Sequence, residues 1–119
     1  MGHKRPERVA SMVHAELSRL LREEVSDPRV GQLSVTHVKL TPDLKRATIG
    51  VLPLGGQGDR QAMLKGLEAA SGYLRGRLGR NLRLRFAPAL VFELDEHLEE
   101  AVRLSSMLDQ LASAEGHEE

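Results

Sequence analysis

Cysteine and tryptophan are absent from this 119-residue chain, and its only aromatics are Tyr73, Phe86 and Phe92. Without cysteine there is no disulfide framework, no thiolate metal centre and no cysteine nucleophile, which fits a reducing compartment; a cytoplasmic protein is expected. Three aromatics are too few for the multi-aromatic stacking platform of an RNA-recognition motif or a typical single-strand-binding OB fold. No apolar run approaches the roughly 20 residues that a membrane helix needs, so no membrane partner is expected. The opening Met1-Gly2-His3-Lys4-Arg5-Pro6 leads into a charged segment rather than a signal-peptide core, and Pro6 stands where a myristoylation site needs Ser or Thr.

Net charge is zero, from 17 Lys and Arg against 17 Asp and Glu, yet the charges are segregated. Residues 1–92 hold 16 bases and 8 acids, a net +8, whereas residues 93–119 hold 9 acids with Arg103 as the single base, a net −8. Such a split points to two surfaces that face different partners. The length suits one domain, in which folding removes roughly two-thirds of the unfolded surface and leaves one core.

Pro6 suits the first turn of a helix, and Val9, Val13, Leu17, Leu20 and Leu21 follow at helical spacing. That helix is predicted to end near Ser26, because the pre-proline Asp27 is pushed out of the α region. Leu33, Val35, Val38 and Leu40 predict a strand whose alternation slips near Thr36-His37, the mark of a bulge. After Thr41-Pro42-Asp43, Ala47, Ile49 and Val51 alternate with Arg46, Thr48 and Gly50 as the second arm of an antiparallel hairpin ending at Pro53. Gly55-Gly56-Gln57-Gly58 reads as a flexible loop. Met63, Leu64, Leu67, Ala70, Leu74 and Leu78 then keep one helical phase, but Ser71-Gly72 interrupts them, and two helices meeting at a kink there are expected. A third strand is predicted over about Leu82–Leu94, with Leu82, Leu84 and Phe86 on one face, Arg83 and Arg85 on the other, and Ala87-Pro88 as an irregularity before Leu90, Phe92 and Leu94 resume. A last helix over 98–112 packs through Leu98, Ala101, Leu104, Leu108 and Leu111, ahead of an acidic, disordered tail. The order α-β-β-α-kink-α-β-α makes an α+β fold, a three-stranded sheet with helices on one face, whose strand order the sequence does not disclose.

The strongest chemical signal lies between Tyr73 and Phe86, where Arg75, Arg77, Arg80, Arg83 and Arg85 occur with no acid. Arginine pairs bidentately with phosphate and stacks on bases, so this density favours RNA over a merely solvated helix and strand edge. Lys4, Arg5 and Arg8 sit at a helix start, where positive charge opposes the macrodipole; a ligand or a frayed arm would each account for them. Lys45 and Arg46 extend either patch. Gly76-Arg77-Leu78-Gly79 spells the GxxG of KH domains, yet Arg80 and Asn81 alone separate it from Leu82, too little for the helix that must follow such a loop. The break at Ala70-Ser71-Gly72 occupies that place instead. Gly55-Gly56-Gln57-Gly58 lacks the GK[ST] ending of a P-loop, and His97 beside Asp95 and Glu96, like His14 beside Glu16, has no second cluster at ligand spacing. No catalytic residue, metal or cofactor is expected.

Arg5-Pro6-Glu7-Arg8-Val9, Asp27-Pro28-Arg29, Asp43-Leu44 with Ala47, Ala70-Ser71-Gly72, Leu74-Arg75, Leu78-Gly79, Leu82-Arg83, Pro88, Leu90, Phe92, Asp95 and Ser105 occur in an order that resembles the bacterial ribosome-binding factor A family over about residues 5–108. The resemblance implies a single-domain type II KH-like fold in which an Ala-x-Gly kink at Ala70, Ser71 and Gly72 replaces the GxxG loop. It implies a monomeric, non-enzymatic assembly factor that binds free 30S subunits and supports late maturation and processing of 16S rRNA near its 5′-terminal helix, most importantly in the cold. Partners would be the 30S subunit and 16S rRNA, with ribosomal proteins or other assembly factors in addition. The expected rRNA-facing residues are Ser71, Arg75, Arg77, Arg80, Arg83 and Arg85, joined by Lys4, Arg5, Arg8, Lys45 and Arg46. Residues 1–112 would form the ribosome-binding domain and residues 113–119 the acidic tail. The acidic C-terminus is short for the family, and an alternative role is protein interaction, the last helix recruiting a basic partner.

Overall fold

The computed structural model describes residues 4–54 and 59–116; the expected loop at 55–58 and the end of the expected tail, 117–119, lie outside the described residues. The first helix, α1 (Lys4–Glu23), buries Val13, Leu17, Leu20 and Leu21 on one stripe, as their spacing requires. It stops at Glu23 rather than near Ser26, because a turn closed by Val30 N–H on the Asp27 carbonyl takes over and sends Val30 into the core. The Asp27 carboxylate accepts from the Arg29 side chain and backbone, bonds that hold its pKa down at about 2. A Cβ on Gly66 would come within 3.0 Å of Val30, so the absent side chain there is what lets the turn lie against the long helix.

Strands β1 (Leu33–Leu40) and β2 (Arg46–Pro53) pair antiparallel, and the register shifts between Val35 and His37, where the broken alternation predicts a bulge. Their connection is held by Asp43, whose carboxylate accepts from the Thr41 hydroxyl and the Lys45 N–H, and it places Leu44 at φ 61°. The long helix α2 (Arg60–Asn81) is capped by the Asp59 carboxylate and leads to β3 (Ala89–Leu94). The sheet order is β1-β2-β3 with β3 parallel to β2, so α2 is the crossover that a parallel pair needs. Val35, Leu40, Ala47, Ile49 and Val51 cover one sheet face, and α1 and α2 close over it with Leu17, Leu20, Met63, Leu67, Leu74 and Leu78. The fold is α+β, built on a three-stranded mixed sheet.

Three further expectations change. The two helices expected to meet at Gly72 are one: α2 runs unbroken through Ser71 and Gly72, its buried Met63, Leu67, Leu74 and Leu78 all seated on the core. Docking of the whole apolar stripe outweighs the roughly 1 kcal/mol that a helical glycine costs. Ser71 donates its hydroxyl back to the Glu68 carbonyl at 2.7 Å, so its side chain is satisfied within the helix. Secondly, the predicted strand from Leu82 begins only at Ala89: Leu82–Pro88 is a helix cap and a loop, and pairing opens with Ala89 N–H on the Lys45 carbonyl. Pro88, just before, has no N–H to give a ladder.

The third concerns the last helix, α3 (Glu96–Gly116), which passes the expected end at 112 and does not pack through its apolar residues. Leu104, Met107, Leu108 and Leu111 are all exposed, and the helix is tied down by its Asp95 cap and by the Glu99 carboxylate on Arg60 Nε at 2.9 Å. The radius of gyration, 17.2 Å, exceeds the roughly 13 to 14 Å of a compact chain this long, as expected when one helix stands away from the core. No helix among the described residues is long and apolar enough to cross a membrane.

Candidate nucleic-acid interface

The arginine segment begins inside α2 and continues through its C-terminus, where local hydrogen bonding decides which way each side chain is offered. Leu84 N–H bonds the Gly79 carbonyl at 2.9 Å and Arg83 N–H the Arg80 carbonyl at 3.3 Å, the paired bonds of a Schellman cap. The residue between cap and loop must adopt the left-handed conformation, which usually falls to glycine. Here it is Arg83, at φ 54°. Left-handed backbone costs an ordinary residue roughly 1 to 2 kcal/mol, partly offset because glycine is freer in the unfolded chain. Replacing Arg83 by Gly is therefore expected to stabilise the fold by roughly 0.5 to 1 kcal/mol, while Arg83→Gln, which keeps the strain and removes the charge, gains nothing in the same thermal melt.

The arginines do not act alike. Arg77 turns toward the end of α1, its Nε 3.3 Å from Glu24 Oε1, with Nη2 donating to Glu24 Oε2. The Nε is buried and makes no hydrogen bond, so this is a charge pair of imperfect alignment. The Tyr73 hydroxyl donates to the same carboxylate at 2.5 Å and, with Arg77 and Arg19, holds Glu24 below the usual carboxylate range. Glu24 in turn pushes the Tyr73 hydroxyl up. The segment has no acid of its own, yet the fold brings one from just past the end of α1 to pair with one of its five arginines.

Arg75 points the other way. Its Nε donates to the Ala87 carbonyl at 3.0 Å, which pins the loop against α2 and leaves both Nη groups unused by that bond. Beside it opens a groove of about 670 Å³ lined by Arg5 from α1, Lys45 from the hairpin turn, Arg75, Arg85 and Phe86. Three separate stretches of chain thus deliver four cations to one concavity, and none of the four meets a carboxylate in an ion pair among the described residues. Asp43 also lines the groove, but its carboxylate is engaged by Thr41 and Lys45 N–H in the turn, which lowers its pKa.

Of the other expected contact residues, Arg8, Arg46, Arg80 and Arg83 are exposed outside this lining, and Arg80 also sits in the last turn of α2, where a cation complements the macrodipole. Ser71 is half-buried with its hydroxyl engaged on the Glu68 carbonyl. Lys4 opens α1, and its side chain lies outside the described residues. Gly72 and Gly76 lie on the exposed face of α2, and nothing in the fold would touch a Cβ at either. His14 proves structural, its Nε2 donating to the Val35 carbonyl at 2.7 Å. No group of three His, Asp or Glu side chains among the described residues is arranged to hold a metal.

Sequence reasoning misses Glu24 and Phe86. Alternation places Phe86 inward with Leu82 and Leu84; instead it is 77% exposed, with the Arg85 guanidinium 5.5 Å from its ring centre. Pro88 is the available signal, since a residue without an N–H so close downstream argues for a loop, in which alternation defines no face.

The family profile named Ribosome-binding factor A matches residues 5–108. The chain belongs to the ribosome-binding factor A family. The ribosome-binding factor A of Desulforamulus reducens is 39% identical over 115 residues, covering 97% of this chain and 95% of that one. The crystal structure of ribosome-binding factor A from Thermus thermophilus superposes with a TM-score of 0.67 at 24% identity, over 75% of this chain and 94% of that one, which establishes the shared fold. A Thermus thermophilus ribosome-binding factor A homology model, fitted into the cryo-EM map of a 30S complex, is 30% identical over 69% of this chain and 90% of that one, with a TM-score of 0.54. The sequence motifs that suggest ribosome-binding factor A span the same residues as the profile, 5–108.

Proposed function

We propose that this protein binds the free 30S ribosomal subunit in the cytoplasm as a monomeric, non-enzymatic assembly factor. On this reading it assists late maturation and 16S rRNA processing near the 5′-terminal helix, with its greatest importance in the cold. Residues 1–112 are assigned the binding and residues 113–119 are treated as an acidic tail. The observation that carries the reading is the groove in which Arg5, Lys45, Arg75 and Arg85 converge without an ion-pair partner among the described residues. Four like charges brought together at a cost in self-repulsion are accounted for by a polyanion that neutralises them. Family membership supports the identity of that polyanion, as does the 30S complex of the Thermus thermophilus relative.

Co-sedimentation with purified 30S subunits across a salt series tests it. Each neutralised phosphate contributes roughly 0.7 to 0.9 log units of affinity per log unit of salt, so four predict a slope near −3. A flat response would sink the proposal.

One observation favours a second reading: α3 carries exposed Leu104, Leu108 and Leu111 beside Glu100 and Asp109, a surface suited to a basic partner with an apolar face. Removing residues 98–119 separates the two. Under the first reading 30S binding survives the truncation; its loss from a truncated chain that remains folded would transfer the function to α3.

A further inference from the structure

Phe86 is the least expected exposed side chain in the molecule. Fully burying a phenylalanine stabilises a fold by roughly 1.5 to 3 kcal/mol, yet this one is 77% exposed, in a loop rich in charge. Isolated exposed apolar residues need no explanation, but Phe86 is not isolated. It lines the same groove as Arg5, Lys45 and Arg75, and the Arg85 guanidinium lies over its ring at 5.5 Å. The loop that carries it is fixed at both ends, by the Schellman cap at Leu84 and by the Arg75 bond to the Ala87 carbonyl. The ring is thereby presented with little freedom left to lose on binding.

We propose that this groove is a subsite for an unpaired RNA nucleotide, its base stacked on Phe86 and its phosphates held by Arg75, Arg5 and Lys45. The inference rests on the RNA-binding reading above and deepens it. A base-paired helix keeps its base faces inside the stack, so an exposed ring on a basic groove finds a π-face only on a splayed or single-stranded base. Phenylalanine has no polar handle, so the stack tolerates any base and confers preference for strandedness rather than sequence. The groove's 670 Å³ falls within the roughly 300 to 1,000 Å³ typical of sites for small organic ligands, which admits a nucleotide. Arg75 is preorganised for the phosphate because its Nε is already committed to Ala87, leaving the Nη edge outward. Among the described residues neither of the other two Phe or Tyr rings joins this site: Tyr73 is engaged with Glu24, and Phe92 packs against the core. One base per protein is therefore the expected stoichiometry of stacking.

The test compares full-length wild type with Phe86→Leu, Phe86→Ala and Phe86→Trp for binding a short labelled single-stranded oligoadenylate and a duplex of equal length, at fixed salt. Base stacking on an aromatic is worth a roughly 5- to 150-fold change in affinity on truncation. Loss of that size is expected for Leu and Ala on the single strand alone, with the salt slope unchanged because no phosphate contact is removed, and with recovery in Phe86→Trp. Phe86→Leu binding the single strand as well as wild type would overturn the stacking proposal, as would equal loss on the duplex. An acidic peptide such as oligoglutamate competing as well as the oligonucleotide would also overturn it, making the groove a protein site. Failure here is distinguishable from failure of the proposed function: in the former, wild-type binding to 30S stays steeply salt-dependent; in the latter it is flat.

Discussion

Lys45→Gln, Arg75→Gln and Arg85→Gln combined are expected to weaken 30S binding by a factor on the order of several hundred at about 0.1 M salt, and to flatten the salt slope by about 2 to 3. The magnitude follows from counterion release: a side chain that no longer neutralises its phosphate forfeits roughly 0.8 log units of affinity per decade of salt below 1 M. All three side chains are exposed, so the loss of stability is expected to stay near the roughly 0.5 to 1.5 kcal/mol of the one structural hydrogen bond removed, that of Arg75 to the Ala87 carbonyl. Arg77→Gln is the internal control. Its charge is already matched by Glu24, so its removal leaves the salt slope nearly intact and instead loosens the packing of α1 on α2. Binding by co-sedimentation and stability by circular dichroism, measured on the same variants, separate the two effects. If Arg77→Gln reduced the salt dependence as much as the groove triple does, the arginine segment would act as a uniform charge field rather than through the groove.

Leu74→Ala is expected to cost about 2 to 5 kcal/mol, lowering the thermal midpoint by roughly 8 to 20 °C, whereas Leu108→Ala shifts it hardly at all. Leu74 is fully buried between α2 and the sheet, so truncation leaves a cavity in a core shared by every element except α3. Leu108 is 65% exposed and forfeits little burial. The sequence treats the two leucines identically, each at a regular apolar position on an amphipathic helix. Thermal and urea melts of the two variants decide the matter; a loss at Leu108 approaching that at Leu74 would mean that α3 folds back onto the core. A typical domain has only about 5 to 15 kcal/mol of stability in total, so Leu74→Ala alone approaches the threshold of unfolding.

The site was partly legible. Arg75 and Arg85 are visible as members of an acid-free segment, and Arg5 and Lys45 as members of separate basic groups, because arginine-rich composition is a property of the chain itself. Their convergence was not visible, since it depends on the hairpin turn and the start of α1 arriving at the same end of α2. Nor was the distinction between Arg77 and its neighbours, which rests on an acid 53 residues away in sequence. Phe86 illustrates a different failure. Alternation from Leu82 to Leu94 reads as a strand with one irregularity at Ala87-Pro88, but a left-handed Arg83 and an N–H-free Pro88 hold the whole first half out of the sheet. Period-two patterning names a face only if a partner strand is there to define it.

By itself the sequence determined the succession of local elements: α1 with its proline in the first turn, the hairpin with its bulge before His37, the strand end at Pro53, and one apolar phase through α2. These follow from forces that act within a few residues, namely proline's fixed φ and missing N–H, side-chain periodicity, and the turn chemistry of Asp43. Its ordered motifs also sufficed to point to the family. Tertiary structure decided that β3 lies parallel beside β2, that Glu24 neutralises Arg77, that α3 keeps its leucines in solvent, and that four cations and one phenylalanine share a groove. Each of those depends on which distant surfaces meet, and that is set by sheet register and by the burial of one common core, which no local pattern specifies.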